Sequence, residues 1–204
     1  MSLSPFGRAA VAIAAPVMLA GCGINSIPTK EENAKAKWAN VQAAFQERAN
    51  LIPNLAATAK GAATQEKDIL TGVVEARAKA TSPQIQISGD DLKDPAKVKA
   101  FQDAQNQLSS QLGGFGRLLA NVEAYPELKS ITNYQMLQSQ LEGQENRIRI
   151  AVMDYNTAVQ GYNTEIRTFP GAIGAKIFYG AKPMVPYQAA TPGAEVAPSL
   201  DGKL

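Results

Sequence analysis

The chain has 204 residues, with 20 basic and 18 acidic side chains, one cysteine and no histidine. Balanced charge offers no electrostatic footprint for nucleic acid, and the lack of histidine closes the usual serine and cysteine triads and the common zinc sites. Ala, Gln, Leu, Asn and Glu dominate the middle of the chain and aromatics reach only 6%, the composition of helices packed through narrow seams. One all-α domain is therefore expected.

Residues 1–21 read as a secretory leader: Arg8 supplies a short positive region, and the apolar stretch AAVAIAAPVMLAG (9–21) ends in small residues. The stretch is too short to cross a bilayer, and Pro16 weakens it further as a membrane helix. LAGC (19–22) resembles the lipobox of bacterial lipoproteins, which implies that Cys22 becomes the acylated first residue of the mature protein. Several acyl chains would hold it durably to a bilayer, at about 0.8 kcal/mol per buried methylene. Gly23 stands where many inner-membrane lipoproteins carry Asp, so the resemblance favours the periplasmic face of the outer membrane.

A linker closes the segment 22–29, and a helical body is expected over 30–169. Trp38, Val41, Phe45, Ile52, Leu55, Ile69, Val73 and Ala76 keep an alternating 3–4 spacing, which predicts one long helix to about residue 81, kinked at Pro53, with a fold back at Pro53 or Gly61 into a four-helix bundle as the alternative. Asp94-Pro95 supplies an N-cap and a first-turn proline, so a second helix is expected from 95 until shortly before Pro126. TNYQ (132–135) matches a capping box. Leu137, Leu141, Ile148, Val152, Tyr155, Val159, Tyr162 and Ile166 then keep heptad spacing, which predicts a third long helix. The pattern suits an antiparallel up-and-down bundle of three to four long helices. Beyond Pro170, prolines and glycines predict a partly disordered tail over 170–204, in which IFYG and MVPY are candidates to dock.

Four stretches carry a resemblance to the LemA family of bacterial envelope proteins: ERANLIPNL (47–55), EKDIL with EAR (66–77), EAYPELK (123–129), and LEGQENRIRIAVMDYNTAVQGYNTEIRTFPG (141–171). The family pairs an N-terminal membrane anchor with an antiparallel helical bundle. This chain departs from it in carrying Glu47 beside Arg48, Val152 before the first Tyr-Asn pair, and a lipobox in place of an uncleaved membrane helix. The resemblance implies an architecture and a compartment rather than a reaction.

Glu142 and Glu145 lie three apart, as an acid/base pair requires, but pairing with Arg149 and Arg147 at the surface is the expected use. Tyr155-Asn156 and Tyr162-Asn163 repeat at heptad spacing. Their hydroxyls need partners when the rings are buried, so a polar seam with Asn156, Asn163 or Glu145 is expected to set helix register. LIPNL and YPELK are expected at one height, with Arg48 paired to Glu123 or Glu127 and with Asn50, Asn54 and Lys129 offered to a partner. That arrangement would leave Trp38, Val41 and Phe45 below the turn, needing cover from an additional protein or from the 178–187 tail. The expected role is a lipid-anchored envelope scaffold, not an enzyme, without cofactor, metal or small-molecule substrate. Its expected partner is another envelope protein, such as a membrane protease or assembly factor. The alternatives are a membrane-shaping helical protein, which a magnetosome-membrane member of the family suggests, and an enzyme using carboxylates alone.

Overall fold

The computed structural model describes residues 25–60, 67–120 and 132–188. All regular elements among them are helical: α1 (Ser26–Lys60), α2 (Lys67–Ala80), α3 (Pro95–Ala120) and α4 (Thr132–Glu165). A 3-10 turn, Asp91–Lys93, precedes α3, and a short α5 (Gly171–Gly174) runs into a π-type turn, Ala175–Tyr179. None of these helices is long and apolar enough to cross a membrane.

The apolar stripe of α1 is buried from Ile27 through Trp38, Val41, Phe45 and Ile52 to Leu55. Pro53 sits inside the helix. Lacking an N–H, it leaves the Ala49 carbonyl, four residues back, without its helical donor. Arg77 Nε of α2 donates to that oxygen at 2.8 Å. On one straight helix residues 49 and 77 would stand about 42 Å apart, so the first helix is not continuous to residue 81. It ends at Lys60, and α2 runs back beside it.

Two antiparallel pairs follow from the side-chain contacts. Ser26 donates to Glu165 at 2.6 Å, Lys37 to Asp154 at 2.8 Å and Arg147 to Glu47 at 3.2 Å, so residue numbers rise along α1 as they fall along α4. In the second pair Lys79 donates to Gln107 at 2.9 Å and Gln105 to the Ala80 carbonyl at 3.2 Å, while Gly72 faces the Gln111 side chain. The start of α3 is the one its sequence predicts. The Asp94 carboxylate accepts from the Ala96 N–H at 2.9 Å, and Pro95 occupies the first helical position, where a missing donor costs nothing.

Two apolar clusters fill the interior. One gathers Trp38, Val41 and Phe45 of α1, Val98 and Phe101 of α3, Tyr155, Val159 and Tyr162 of α4, and Met184 and Tyr187 from beyond α5. The other joins Ile52 and Leu55 to Leu70, Val73, Ala76, Ala104, Leu108 and Leu112. Trp38, Val41 and Phe45 therefore do not project below a turn; α3, α4 and the C-terminal segment enclose them. Within that segment MVPY docks, with Met184 and Tyr187 buried, whereas Ile177, Phe178 and Tyr179 of IFYG stay exposed. Gly180 takes the left-handed conformation, φ 53°, which a Cβ would penalise, and residues 181–188 then run extended along α4.

Candidate functional site

Tyr155, Asn156, Tyr162 and Asn163 lie on one face of α4, because seven residues make nearly two turns. Two tyrosines and two asparagines thus repeat about 10 Å apart along the helix axis. Residues 182–187, the strap, lie against this column. Asn163 Nδ2 donates to the Met184 carbonyl at 2.8 Å, and the Met184 N–H donates back to Asn163 Oδ1 at 2.9 Å. Asn156 repeats the device on Tyr187, donating to its carbonyl at 2.9 Å and accepting from its N–H at 2.8 Å. A carboxamide offers a donor and an acceptor side by side, so each asparagine replaces the neighbouring strand that an extended backbone otherwise needs.

The tyrosines complete the clamp. Tyr155 donates to the Val185 carbonyl at 2.8 Å and Tyr162 to the Lys182 carbonyl at 3.1 Å. From the opposite side the Val185 N–H donates to the Leu92 carbonyl at 2.9 Å, and Gln102 Nε2 to the Pro186 carbonyl at 3.3 Å. Burial pushes the Tyr155 phenol well above its usual range. It takes Tyr162 to about 12, with the nearby Glu31 charge adding to the rise, and Tyr187 also to about 12. Rings pack around the clamp: Trp38 lies 5.2 Å from Phe101 and 5.0 Å from Tyr155, and Phe45 lies 5.8 Å from Tyr187. The tyrosine hydroxyls expected to pair with Asn156, Asn163 or Glu145 are taken instead by backbone carbonyls of the strap, with Glu31 3.4 Å from that of Tyr162.

Glu145 is drawn elsewhere. Arg48 is 1% exposed and donates to Glu145 at 2.9 Å, to Ser109 at 2.8 Å and to Gln105 Oε1 at 3.0 Å, with its guanidinium 5.0 Å from the Phe45 ring centre. It is an interior tie among α1, α3 and α4, not a partner-surface residue, because its position on α1 faces the seam. The two arginines expected to pair with Glu142 and Glu145 have other partners, and Glu145 is held by Arg48. Arg147 reaches Glu47, and Arg149 reaches Asn146 at 2.6 Å. Asn50 is exposed and accepts from Gln46 at 3.0 Å, and Asn54 is also exposed. Glu123, Glu127 and Lys129, like Cys22, lie outside the described residues.

A charge cluster that the sequence did not single out joins the start of α1 to the loop before α3. Glu31 accepts from Lys93 at 2.6 Å, and Lys35 stands 3.3 Å from it and 3.2 Å from Asp90. Burial pushes the Glu31 carboxyl up, but Lys93 and Lys35 outweigh it and the net direction is down. Lys30 and Ser26 likewise hold Glu165 below the usual carboxylate range. Among the described residues no group of acidic or cysteine side chains has the geometry of a metal site.

Known proteins bear on this arrangement. The model of the LemA family matches residues 37–201. Magnetosome proteins MamQ 1 and MamQ 2 of Paramagnetospirillum magneticum are each 28% identical to the chain over 160 residues. Magnetosome protein MamQ of Magnetospirillum gryphiswaldense is 29% identical over 157. Each match takes in 72% of this chain and 58% of the relative, so the chain spans less than two thirds of the length of these relatives. The family match runs from within α1 through α4 and past the strap that the Tyr-Asn column holds, and on that extent the chain belongs to the LemA family.

Proposed function

We propose that the protein is a lipid-anchored helical scaffold of the bacterial envelope, without catalytic activity of its own, that presents the side of an up-and-down bundle to another envelope protein. The antiparallel pairs α1/α4 and α2/α3 support the bundle reading. One observation carries the functional one: the side chains with the most chemical potential are committed to the fold. Tyr155, Asn156, Tyr162 and Asn163 hold the strap, and Glu145, one of the two carboxylates of a carboxylate-only enzyme, holds Arg48. What remains exposed on α1, including Asn50 and Asn54, is surface suited to contact. The partner is an integral envelope protein of the protease or assembly-factor kind. Photocrosslinkers at Asn50, Asn54 and Lys129 in living cells should give one adduct of defined mass; none at any of the three positions would refute the reading.

The anchor is Cys22, acylated after removal of the leader, with the body on the periplasmic side of the outer membrane. Mass spectrometry of the mature protein should find a diacylglyceryl group on Cys22, and an intact Met1 would refute it. A second reading, a membrane-shaping helical protein, draws support from the likeness to magnetosome proteins. Flotation of the Cys22→Ser protein with liposomes would favour that reading over the first.

A further inference from the structure

We infer that residues 169–179 form a lipid-facing tip that dips into the bilayer interface beside the point of attachment. Phe169 is 83% exposed, Ile177 69%, Phe178 66%, Ile173 51% and Tyr179 44%. Five large apolar side chains in eleven consecutive residues, standing in water, form a patch of the sort that marks an interaction site. No other stretch among the described residues concentrates exposed apolar groups in this way: Val74, Met136, Ile150 and Met153 are scattered over α2 and α4.

The position of the patch selects its occupant. It follows directly on α4, whose last residue, Glu165, accepts from Ser26 at the first turn of α1. Gly171 lies so close that an added Cβ would stand 2.5 Å from the Glu165 carbonyl, so the tip and the start of α1 share one end of the molecule. Cys22 precedes Ser26 by four residues, and at about 3.5 Å per residue the chain between them reaches at most about 14 Å. Attachment at Cys22 therefore keeps the tip within reach of the membrane surface.

Charge points the same way. Residues 166–188 contain Arg167, Lys176 and Lys182 and no acidic residue, and all three cations are exposed. Of the carboxylates at this end, Glu165 pairs with Lys30, Glu31 with Lys93, and Glu31 and Glu32 share Lys35. Exposed apolar side chains with cations before, among and after them in the chain, and a tyrosine among them, match the boundary between anionic headgroups and acyl chains. The inference deepens the proposed membrane attachment and rests on it for orientation.

A test that supplies the attachment chemically separates the two. Cys22 is the chain's one cysteine, so the full chain can be coupled through it to maleimide-bearing lipid in vesicles of phosphatidylethanolamine and phosphatidylglycerol with brominated acyl chains. The Phe178→Trp variant should then show blue-shifted emission quenched by the bromines, after subtraction of the parent's Trp38 signal. Met136→Trp, about 44 Å away along α4, should show neither. Unquenched emission from Phe178→Trp on coupled vesicles would overturn the inference while leaving native acylation, read by mass spectrometry, untouched. Equal quenching at both positions would overturn it too, because the molecule would then lie flat. Blue-shifted Phe178→Trp emission without vesicles, together with a dimeric mass, would replace lipid by a second copy of the chain.

Discussion

The two ends of the interior are built from different materials. Around Trp38 the core is aromatic and draws on α1, the loop before α3, α3, α4 and the strap. Around Leu108 it is aliphatic and alanine-rich, and its buried members come from α1, α2 and α3 alone. Small side chains let α2 and α3 approach closely and leave few polar atoms to satisfy. Rings bring volume but also hydroxyls and an indole N–H, which must find acceptors once buried. The aromatic end meets that demand with backbone carbonyls: the Gln42 amide and the Trp38 indole share the Ile87 carbonyl at 2.8 and 3.4 Å, and the tyrosines take those of the strap. At the aliphatic end Arg77 takes the carbonyl that Pro53 leaves free and Gln105 takes that of Ala80.

The contrast can be broken most directly at its aromatic end. Tyr155→Ala and Tyr162→Ala should each lower unfolding stability by about 3–5 kcal/mol, measured by chemical denaturation. A change within error would place these rings outside the core. Asn163→Ala should cost about 1–3 kcal/mol, because both backbone groups of Met184 lose their partner. It should also abolish hydrogen-exchange protection of the Met184 amide while leaving α2 unaffected. At the aliphatic end Arg77→Ala should cost about 1 kcal/mol by exposing one unpaired carbonyl, with faster exchange confined to α2 and the middle of α1. Equal exchange changes at both ends would show that the two clusters unfold as one unit.

Titration sharpens the same comparison. The folded Tyr162 and Tyr187 phenols ionise near 12 rather than the usual 10, so the unfolded chain loses its phenol protons first. Their contribution is complete below pH 10 and is lost as pH rises from 10 through about 12. The strap should be the first element to loosen in base, visible as tyrosinate absorbance preceding loss of helix. Asp91 shows the opposite sign. Lys97 and the Ser88 N–H and hydroxyl hold its carboxyl at about 2 against a usual 3.8, so its contribution is present above 3.8 and lost as pH falls through about 2. A carboxyl resonance titrating near 2, with little change in global stability because its partner Lys97 is exposed and the pair is screened by solvent, is the smallest effect expected.

Helix content, the second helix start at Asp94-Pro95 and the burial of the α1 and α4 stripes were legible in sequence. Period and capping are local properties, set by 3.6 residues per turn and by a carboxylate beside free amides. The family resemblance was legible for the same reason, since its motifs are contiguous. The end of α1 was legible only as an alternative, a fold back at Pro53 or Gly61, because the apolar phase of α1 continues into α2 and periodicity does not distinguish a helix that goes on from one that folds back in phase. The Ala49 carbonyl offered a clue, since Pro53 had to leave it free, but which donor reached it depended on where α2 lay.

Polar partners were the other blind spot. Tyr155, Asn156, Tyr162 and Asn163 announced a polar column by their spacing, yet a carboxamide pairs equally well with a side chain, a ligand or an extended backbone. Arg48 read as surface because arginine is usually there, and it is buried because Glu145, Gln105 and Ser109 converge on it from α3 and α4. Sequence by itself determined which stretches are helical and which faces are apolar, since neighbours along the chain decide those. Only the tertiary structure decided where the first helix turns back and what the tyrosines, asparagines and Arg48 hold, because each requires groups between 20 and 97 residues apart to meet.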